Sequence, residues 1–311
     1  MFDPGLAAAL LSPPGLGVLG LLIGSFLNVV VHRLPAMMWR AWWKDSVEFQ
    51  LADPLAWQPL FGGQSTPPPQ LAQAAQAVDA ELRKLPEETL TRPRSRCPKC
   101  GHVLRWWENI PVLSWLMLRG RCSACGTRIA WRYPAVELVT GGLFAAAAAH
   151  YGAQPSTLLW CLAIALLLTM ALIDFDTTLL PDGLTLPLIG IGLGGALAGW
   201  TGVSPADAAA GALAGYGVLW LVGFIWGLLR KVDAMAEGDM KMLAGIGALL
   251  GWQALPSALL LAAAVGAVVG LVMIAGMGRD RSKPIPFGPY LALGGLCSIF
   301  FGPALRSVWL L

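Results

Sequence analysis

Charged residues are scarce in this chain. Asp, Glu, Lys and Arg make up 13% of its 311 residues, whereas a soluble globular domain contains about 25%. Hydrophobic residues make up 56%, and the mean hydropathy is +0.64. The formal net charge of +3 is too small to indicate a nucleic-acid-binding protein. These values exclude an ordinary soluble enzyme and predict an all-α protein that crosses a membrane several times.

Common catalytic motifs are missing as well. The sequence contains neither HExxH nor GxSxG, and its three histidines form no pair at a metal-binding spacing. GIGLGG at Gly190–Gly195 matches a dinucleotide-binding pattern, but it lies inside an apolar run with no strand before it. Small residues that let two helices approach closely explain it better. The candidates for chemistry are therefore carboxylates and cysteines.

About eight apolar segments are predicted to cross the membrane. Six of them approach or exceed the roughly 20 residues that a spanning helix needs. The first lacks the basic start and the cleavage site of a secretory signal, so we interpret it as a span. Two further segments are short or broken by Gly and Pro but are needed for a consistent topology. The six are 15–34, 134–151, 157–173, 180–200, 208–229 and 254–277, and the two are 240–252 and 287–305.

Basic residues predict the orientation of these spans. The long polar segment after the first span is rich in Lys and Arg, which places it in the cytoplasm. Eight crossings put the connections at 174–179, 230–239 and 278–286 on the same side, and the last two carry basic clusters. The connections on the opposite side contain no Lys or Arg. The polar segment is therefore predicted to be cytoplasmic.

Two aspartates lie where apolar segments end or begin. Asp174 ends one segment, Asp239 precedes another, and the topology puts both on the cytoplasmic face. A charge at the membrane is costly and is a functional-site hypothesis by default, although each aspartate could instead cap a helix. Two carboxylates in one site share a proton and can activate water. We predict that Asp174 and Asp239 form a catalytic pair.

Four cysteines of the polar segment form two C-x2-C pairs, separated by 21 residues. Two such knuckles complete a tetrahedral site for one zinc ion. Two disulfides are the alternative, but the cytoplasm is reducing. Because four thiolates leave no open position, the predicted zinc is structural. The predicted ligands are Cys97, Cys100, Cys122 and Cys125.

Several stretches resemble the type IV prepilin peptidases, a family of bifunctional leader peptidase/N-methyltransferases. GSFLNVVVHRLP is similar to the family's N-terminal signature, and the tetracysteine block with RYPAVELVTG is similar to its cytoplasmic domain. IDFDTTLLPD, GDMKMLAGIGALLGW and IPFGPYLALGG resemble its peptidase core. The resemblance implies three parts: a first span at 1–35, a cytoplasmic domain at 36–132 with the tetracysteine site (97–125), and a membrane-embedded aspartic peptidase core at 133–311.

The resemblance also selects between neighbouring aspartates. The family's first catalytic Asp lies seven residues before the Pro of an Ile/Leu-Pro-Asp/Asn pair, which is Pro181 here, so the resemblance implies Asp174 and not Asp176. Asp182 is then a helix cap or an orienting group. The family's second motif, Gly-x-Gly-Asp, reads AEGD here. Ala236 replaces its first Gly, which reduces backbone freedom at that position, and we expect the change to be tolerated.

The resemblance implies a function at the cytoplasmic face of the bacterial inner membrane. The protein would cleave the leader from type IV prepilins and from the pseudopilins of type II secretion. It would then methylate the new N-terminal amine with S-adenosylmethionine, and no residue of the sequence can be assigned to that methyl donor. The implied partners are these substrates and membrane lipid, with no nucleic acid.

Two other classes of function stay open at this stage. An ion- or proton-coupled membrane transporter could use the Asp pair as a relay, although the spans show no two-halved repeat. A membrane-anchored zinc-ribbon binding module could use its basic segment to contact nucleic acid or lipid headgroups. If the protein were such a binding module, its activity would tolerate Asp174→Asn.

Overall fold

The computed structural model describes residues 4–52, 69–230, 235–277 and 285–307, and these ranges contain eleven α-helices and no β-strand. Two short 3-10 helices cover Trp106–Asn109 and Trp252–Ala254. The helices are α1 (Pro4–Leu11), α2 (Pro13–Ala52), α3 (Pro69–Lys84), α4 (Leu113–Met117), α5 (Arg132–Tyr151), α6 (Thr157–Thr177), α7 (Asp182–Leu197), α8 (Pro205–Arg230), α9 (Glu237–Leu250), α10 (Leu255–Met277) and α11 (Gly288–Ser307).

The prediction of an all-helical membrane protein is confirmed. Within the described residues, five helices are long and apolar enough to cross a membrane, namely α2, α6, α8, α10 and α11. The other three predicted spans form α5, α7 and α9, so eight spans are not confirmed. With 14 residues, α9 is about 21 Å long, whereas the hydrocarbon core of a bilayer is about 30 Å thick.

Helix α9 lies inside the bundle. Every residue from Met242 to Leu250 is buried, and the helix packs chiefly against α7 and α8. Gly211 and Gly247 let α8 and α9 approach so closely that a Cβ atom on either glycine would overlap the backbone of the other. At its end, Gly251 turns the chain with a φ of +81°, a conformation that glycine adopts without strain.

Helix α8 has the opposite character. Only 11% of its most apolar window is buried in the protein. Large apolar side chains on a water-exposed helix would be unfavourable, but they are suited to contact with lipid. The exposed apolar residues of α8 include Trp220, Leu221, Val222, Phe224, Ile225 and Trp226.

Residues 29–105 form a compact unit of their own. Helix α2 continues through Pro35 into a stretch that contains Trp39, Trp42 and Trp43. Arg40 on α2 donates to the backbone carbonyls of Leu82 and Leu85, at 3.1 and 3.0 Å, and so ties α2 to the end of α3. The division into 1–35, 36–132 and 133–311 stays a prediction.

Candidate active site

Asp174 lies in the last turn of α6 and is only 5% exposed. Its Oδ2 accepts a hydrogen bond of 2.8 Å from the backbone N–H of Gly288, which begins α11. The first N–H groups of a helix have no partner inside the helix and carry a partial positive charge. The start of α11 therefore binds and stabilises the negatively charged form of the Asp174 carboxyl group.

Asp239 lies in the first turn of α9 and is 7% exposed. Its backbone N–H donates to the carbonyl of Ala236 at 3.1 Å. Its Oδ1 atom is buried and has no hydrogen-bond partner among the residues that the structure describes. Leaving a buried polar oxygen without a partner is unfavourable by about 1–3 kcal/mol. Such an oxygen is suited to bind a water molecule or a substrate group.

The helices that carry the two aspartates meet again two turns deeper in the bundle. A Cβ atom on Gly295 of α11 would lie 3.0 Å from Ile246 of α9 and 3.5 Å from Leu167 of α6. Residues seven positions apart lie on the same face of a helix, about 10 Å apart along its axis. Asp174, Asp239 and Gly288 lie seven positions from Leu167, Ile246 and Gly295, respectively, and so on the same three helix faces.

The same three helix faces therefore bring the two carboxyl groups together. The charge of Asp174 acts on Asp239 across this contact. Asp174 comes from the C-terminal end of one helix, and Asp239 comes from the N-terminal end of another. The structure thus places both residues of the predicted pair at the same end of the bundle, as a single site requires.

Two nearby carboxylates are engaged in ion pairs instead. Both oxygens of Asp176 accept hydrogen bonds from Arg132, at 2.8 and 2.7 Å. Asp182 binds the ammonium group of Lys241 at 2.8 Å, and Glu237 binds the same group at 2.9 Å. Asp182 therefore belongs to an ion-pair cluster that joins the start of α7 to the first turn of α9. The two buried aspartates remain as the pair suited to chemistry.

The departure from the Gly-x-Gly-Asp motif falls at an undemanding position. Ala236 is the N-cap of α9, with φ −73° and ψ 137°, and any residue adopts this extended conformation. The retained Gly238 is different, because a Cβ atom there would lie 2.5 Å from the Cβ of Leu180. The glycine that close packing requires is therefore the one that this sequence keeps.

Two contributors to the site were not predicted from the sequence. They are the backbone N–H of Gly288 and the ammonium group of Lys241. IPFGPYLALGG carried the family resemblance around Gly288, but nothing in the sequence showed which aspartate it would contact. Lys241 lies two residues after Asp239, and that proximity was the only available signal.

The two C-x2-C pairs fold into similar knuckles. In each, the N–H of the first cysteine donates to the carbonyl five residues later, at 2.9 Å in one knuckle and 2.8 Å in the other. A glycine with positive φ follows the second cysteine, at +72° and +68°. The residues are Cys97, Cys100, Gly101 and His102 in the first knuckle, and Cys122, Cys125, Gly126 and Thr127 in the second.

The four predicted metal ligands lie close together. The Sγ atoms of Cys97, Cys100, Cys122 and Cys125 are all within 4.8 Å of one another, and none of these cysteines forms a disulfide. Tetrahedral zinc with Zn–S bonds of about 2.3 Å separates its sulfur ligands by about 3.8 Å. The cluster is therefore compatible with a zinc site.

Comparison with protein families and with curated proteins identifies relatives along most of the chain. Residues 18–151 match the family described as Bacterial Peptidase A24 N-terminal domain, and residues 161–271 match the Type IV leader peptidase family. No solved structure gave a significant match.

Three relatives named prepilin leader peptidase/N-methyltransferase illustrate the similarity. The protein of Burkholderia pseudomallei (strain 1026b) is 47% identical, over 92% of this chain and 84% of its own length. The protein of Stutzerimonas stutzeri is 42% identical, over 94% and 92%, and that of Pseudomonas aeruginosa is 41% identical, over 94% and 91%. These relatives give no support to the transporter alternative. At this identity and coverage, the chain belongs to the type IV leader peptidase family, as its motifs had indicated.

Proposed function

We propose that this protein removes the leader peptide from prepilins and pseudopilins and then methylates the new N-terminal amine. Leader cleavage and N-methylation are the two activities in the names of its relatives. The structural observation that carries the peptidase function is the pair of buried carboxyl groups of Asp174 and Asp239, which three helices bring to one end of an apolar bundle.

The environments of the two carboxyl groups give them different roles. The N–H of Gly288 favours the ionised form of Asp174, whereas Asp239 is buried beside that charge and has an unpartnered oxygen. The shared proton therefore resides on Asp239. Asp174 takes a proton from water as the water attacks the scissile carbonyl. Asp239 donates its proton to the carbonyl oxygen, and a proton then passes to the leaving amine.

The position of the pair suits a substrate that is partly in the membrane. Asp174 and Asp239 lie at the ends of apolar helices, where a polar leader stays in water while an apolar helix stays in lipid. We propose that this end of the bundle faces the cytoplasm from the inner membrane, as the basic residues of the sequence predict. Membrane lipid would then surround the apolar stem of the prepilin during cleavage.

The four cysteines would hold a structural zinc ion. A closed set of four thiolates stabilises the fold around it and leaves no coordination position for substrate. S-adenosylmethionine is the proposed methyl donor, and when bound it supplies an activated methyl group. The methyl-transfer function rests on the names of the relatives and not on an assigned donor pocket.

A cleavage assay tests the peptidase proposal. We expect Asp174→Asn and Asp239→Asn each to lower the cleavage rate of a prepilin-like peptide in detergent by about 10³-fold, within the range for losing a general acid or base. Mass spectrometry of the new N-terminus reads both cleavage and the added methyl group, with and without S-adenosylmethionine.

Asp176→Asn is the matched control, because it removes a carboxylate from the same helical turn. Its ion pair with Arg132 is partly exposed, and such pairs contribute at most about 1 kcal/mol to stability. Cleavage should therefore persist in this variant. Wild-type cleavage by either variant of the buried pair would overturn the assignment, whereas cleavage without a mass gain in the wild type would remove only the transferase.

A further inference from the structure

Another buried carboxylate takes no part in the peptidase pair. Glu137 of α5 is 7% exposed. Its Oε2 accepts a hydrogen bond of 2.7 Å from the backbone N–H of Val112, and the side chain of Ser25 on α2 lies near the carboxylate. The described parts of the chain provide it with no ion pair. A nearby cation favours the ionised form of a carboxyl group, so a cationic ligand is suited to this site.

Helix α2 packs tightly against α5 beside this carboxylate. A Cβ atom on Gly24 would lie 2.8 Å from the Cα of Glu137. The amide nitrogen of Asn28 donates to the carbonyls of Gly24 and Tyr133, both at 3.2 Å, and so joins α2 to the first turn of α5. Ser25 and Asn28 are half-buried, so these two neighbours of the site lie partly at the protein surface.

The backbone at Val112 is strained in order to reach Glu137. Its φ is +61°, which is unfavourable for a β-branched residue. Strain of this kind costs about 1–3 kcal/mol and persists where the surrounding structure enforces it, often at functional sites. The strained residue, Val112, is the one whose N–H binds the Glu137 carboxylate. The strain is an observation independent of the burial of Glu137.

The elements packed against Glu137 leave its charge uncompensated. Residues 13–28 of α2 and residues 110–118 around Val112 contain no titratable side chain. Arg132 on the same helix is bound by Asp176. The titratable groups on the remaining packed elements are Arg132, Tyr133, His150 and Tyr151 on α5 itself, and Cys161, Asp174 and Asp176 on α6.

The Glu137 site lies at the same end of the bundle as the peptidase pair. Arg132 and Asp176 join α5 and α6 at one level. A helix rises 1.5 Å per residue. Glu137 is five residues after Arg132 on α5, so it lies about 7.5 Å deeper in the bundle than that ion pair. Asp174 is two residues before Asp176 on α6, so it lies about 3 Å deeper. A new N-terminus released at Asp174 is therefore at nearly the right depth to reach Glu137.

We propose that Glu137 is the amine site of the methyl-transfer reaction, with Ser25 beside it, a role that rests on the proposed function. The carboxylate binds the protonated N-terminal amine of the cleaved substrate and accepts one proton from it. The nitrogen lone pair of the neutral amine then attacks the methyl carbon of the sulfonium donor. The C–N bond forms, the C–S bond breaks, and its electron pair stays on sulfur.

Glu137→Gln tests this role, because glutamine keeps the shape and an acceptor for Val112 but loses the charge. The substrate is a synthetic, already cleaved peptide with a free N-terminal amine and an apolar stem, assayed in detergent with S-adenosylmethionine. We expect methylation at pH 7 to fall about 10²-fold, with leader cleavage of an uncleaved peptide retained. A terminal amine has a pKa of about 7.7–8.0, so at pH 9 most of it is neutral without a carboxylate to accept its proton. The ratio of variant to wild-type methylation should therefore rise about tenfold between pH 7 and pH 9.

Thr140→Val is the matched control on the same helix, since Thr140 is buried and its hydroxyl donates to the carbonyl of Val136 within its own helix. It should keep both activities. Wild-type methylation by Glu137→Gln, or a loss of equal size at pH 7 and pH 9, would overturn the amine-site role. If the wild-type protein transfers no methyl group, the proposed transferase function itself fails.

Discussion

One backbone N–H distinguishes two aspartates in the same helical turn. Asp174 is buried and accepts the N–H of Gly288, whereas Asp176 is partly exposed and bound by Arg132. The sequence alone could order these two residues only through a family resemblance. The physical difference between them depends on a contact that spans 114 residues of the chain, which no local pattern reports.

Gly288→Ala should lower peptidase activity without unfolding the protein. A Cβ atom at this position would lie 2.8 Å from Asp174 Oδ2, so the carboxyl group must move. A displacement of about 1 Å at a reacting group lowers a rate by about 10²-fold. The cleavage assay measures this loss, and thermal unfolding in detergent should be nearly unchanged.

Gly190→Ala provides the comparison, because a Cβ atom there would meet no other atom within 4 Å. This variant should cleave at the wild-type rate. A wild-type rate in Gly288→Ala as well would show that the contact with Asp174 is unimportant for catalysis.

At the scale of elements, glycines allow neighbouring helices to approach closely. Gly211 and Gly247 bring α8 and α9 into backbone contact, and Gly24 does the same for α2 and α5. The sequence analysis predicted close helix contacts for Gly190–Gly195. Two of those glycines do lie at contacts, Gly192 against α9 and Gly195 against Leu159 of α6. The partner helices could not be predicted, because a small residue permits an approach but does not specify its partner.

The cysteine knuckles were the most predictable element. Their spacing is local, and a C-x2-C turn has nearly the same geometry in any fold. Cys97→Ser should therefore lower the zinc bound to the purified protein from about one ion per chain towards zero. Because a structural zinc stabilises the fold around it, the variant should also be cleaved more readily by added protease in the polar segment.

Cys297→Ala is the control for a cysteine outside the cluster, as it lies on α11 in the apolar bundle. It should retain its zinc and its resistance to protease. Unchanged zinc content and unchanged protease resistance in Cys97→Ser would contradict a structural zinc site.

At the scale of the whole molecule, the orientation in the membrane stays a prediction from basic residues. It places the exposed Gln154, between α5 and α6, outside the cytoplasm, and the exposed Glu87 inside. A cysteine at Gln154 should react with a membrane-impermeant maleimide in intact cells, because no membrane shields it. A cysteine at Glu87 should react only after permeabilisation.

The unsubstituted protein is the control, because it measures how much maleimide reacts with the native cysteines. The reverse pattern would show that the polar region lies outside the cytoplasm and would remove the proposed position of the active site. Labelling of both positions in intact cells would contradict the predicted number of crossings between them.

The sequence by itself determined the class of the protein and predicted the residues of its main chemistry. Scarce charge and long apolar runs indicate a membrane protein, because the bilayer selects for composition. The spacing of four cysteines indicates a metal cluster, and the motifs around Asp174 and Asp239 indicate the family. All of these are properties of short stretches of chain.

Only the tertiary structure decided the rest. It showed that α9 is too short to span a typical bilayer and is enclosed by other helices, and that Ala236 occupies a position where glycine is unnecessary. It also showed that Glu137 is buried and forms no ion pair with the residues that the structure describes. It also paired Asp174 with Gly288. These features depend on which helix faces meet, and that choice is made by packing between residues far apart in sequence.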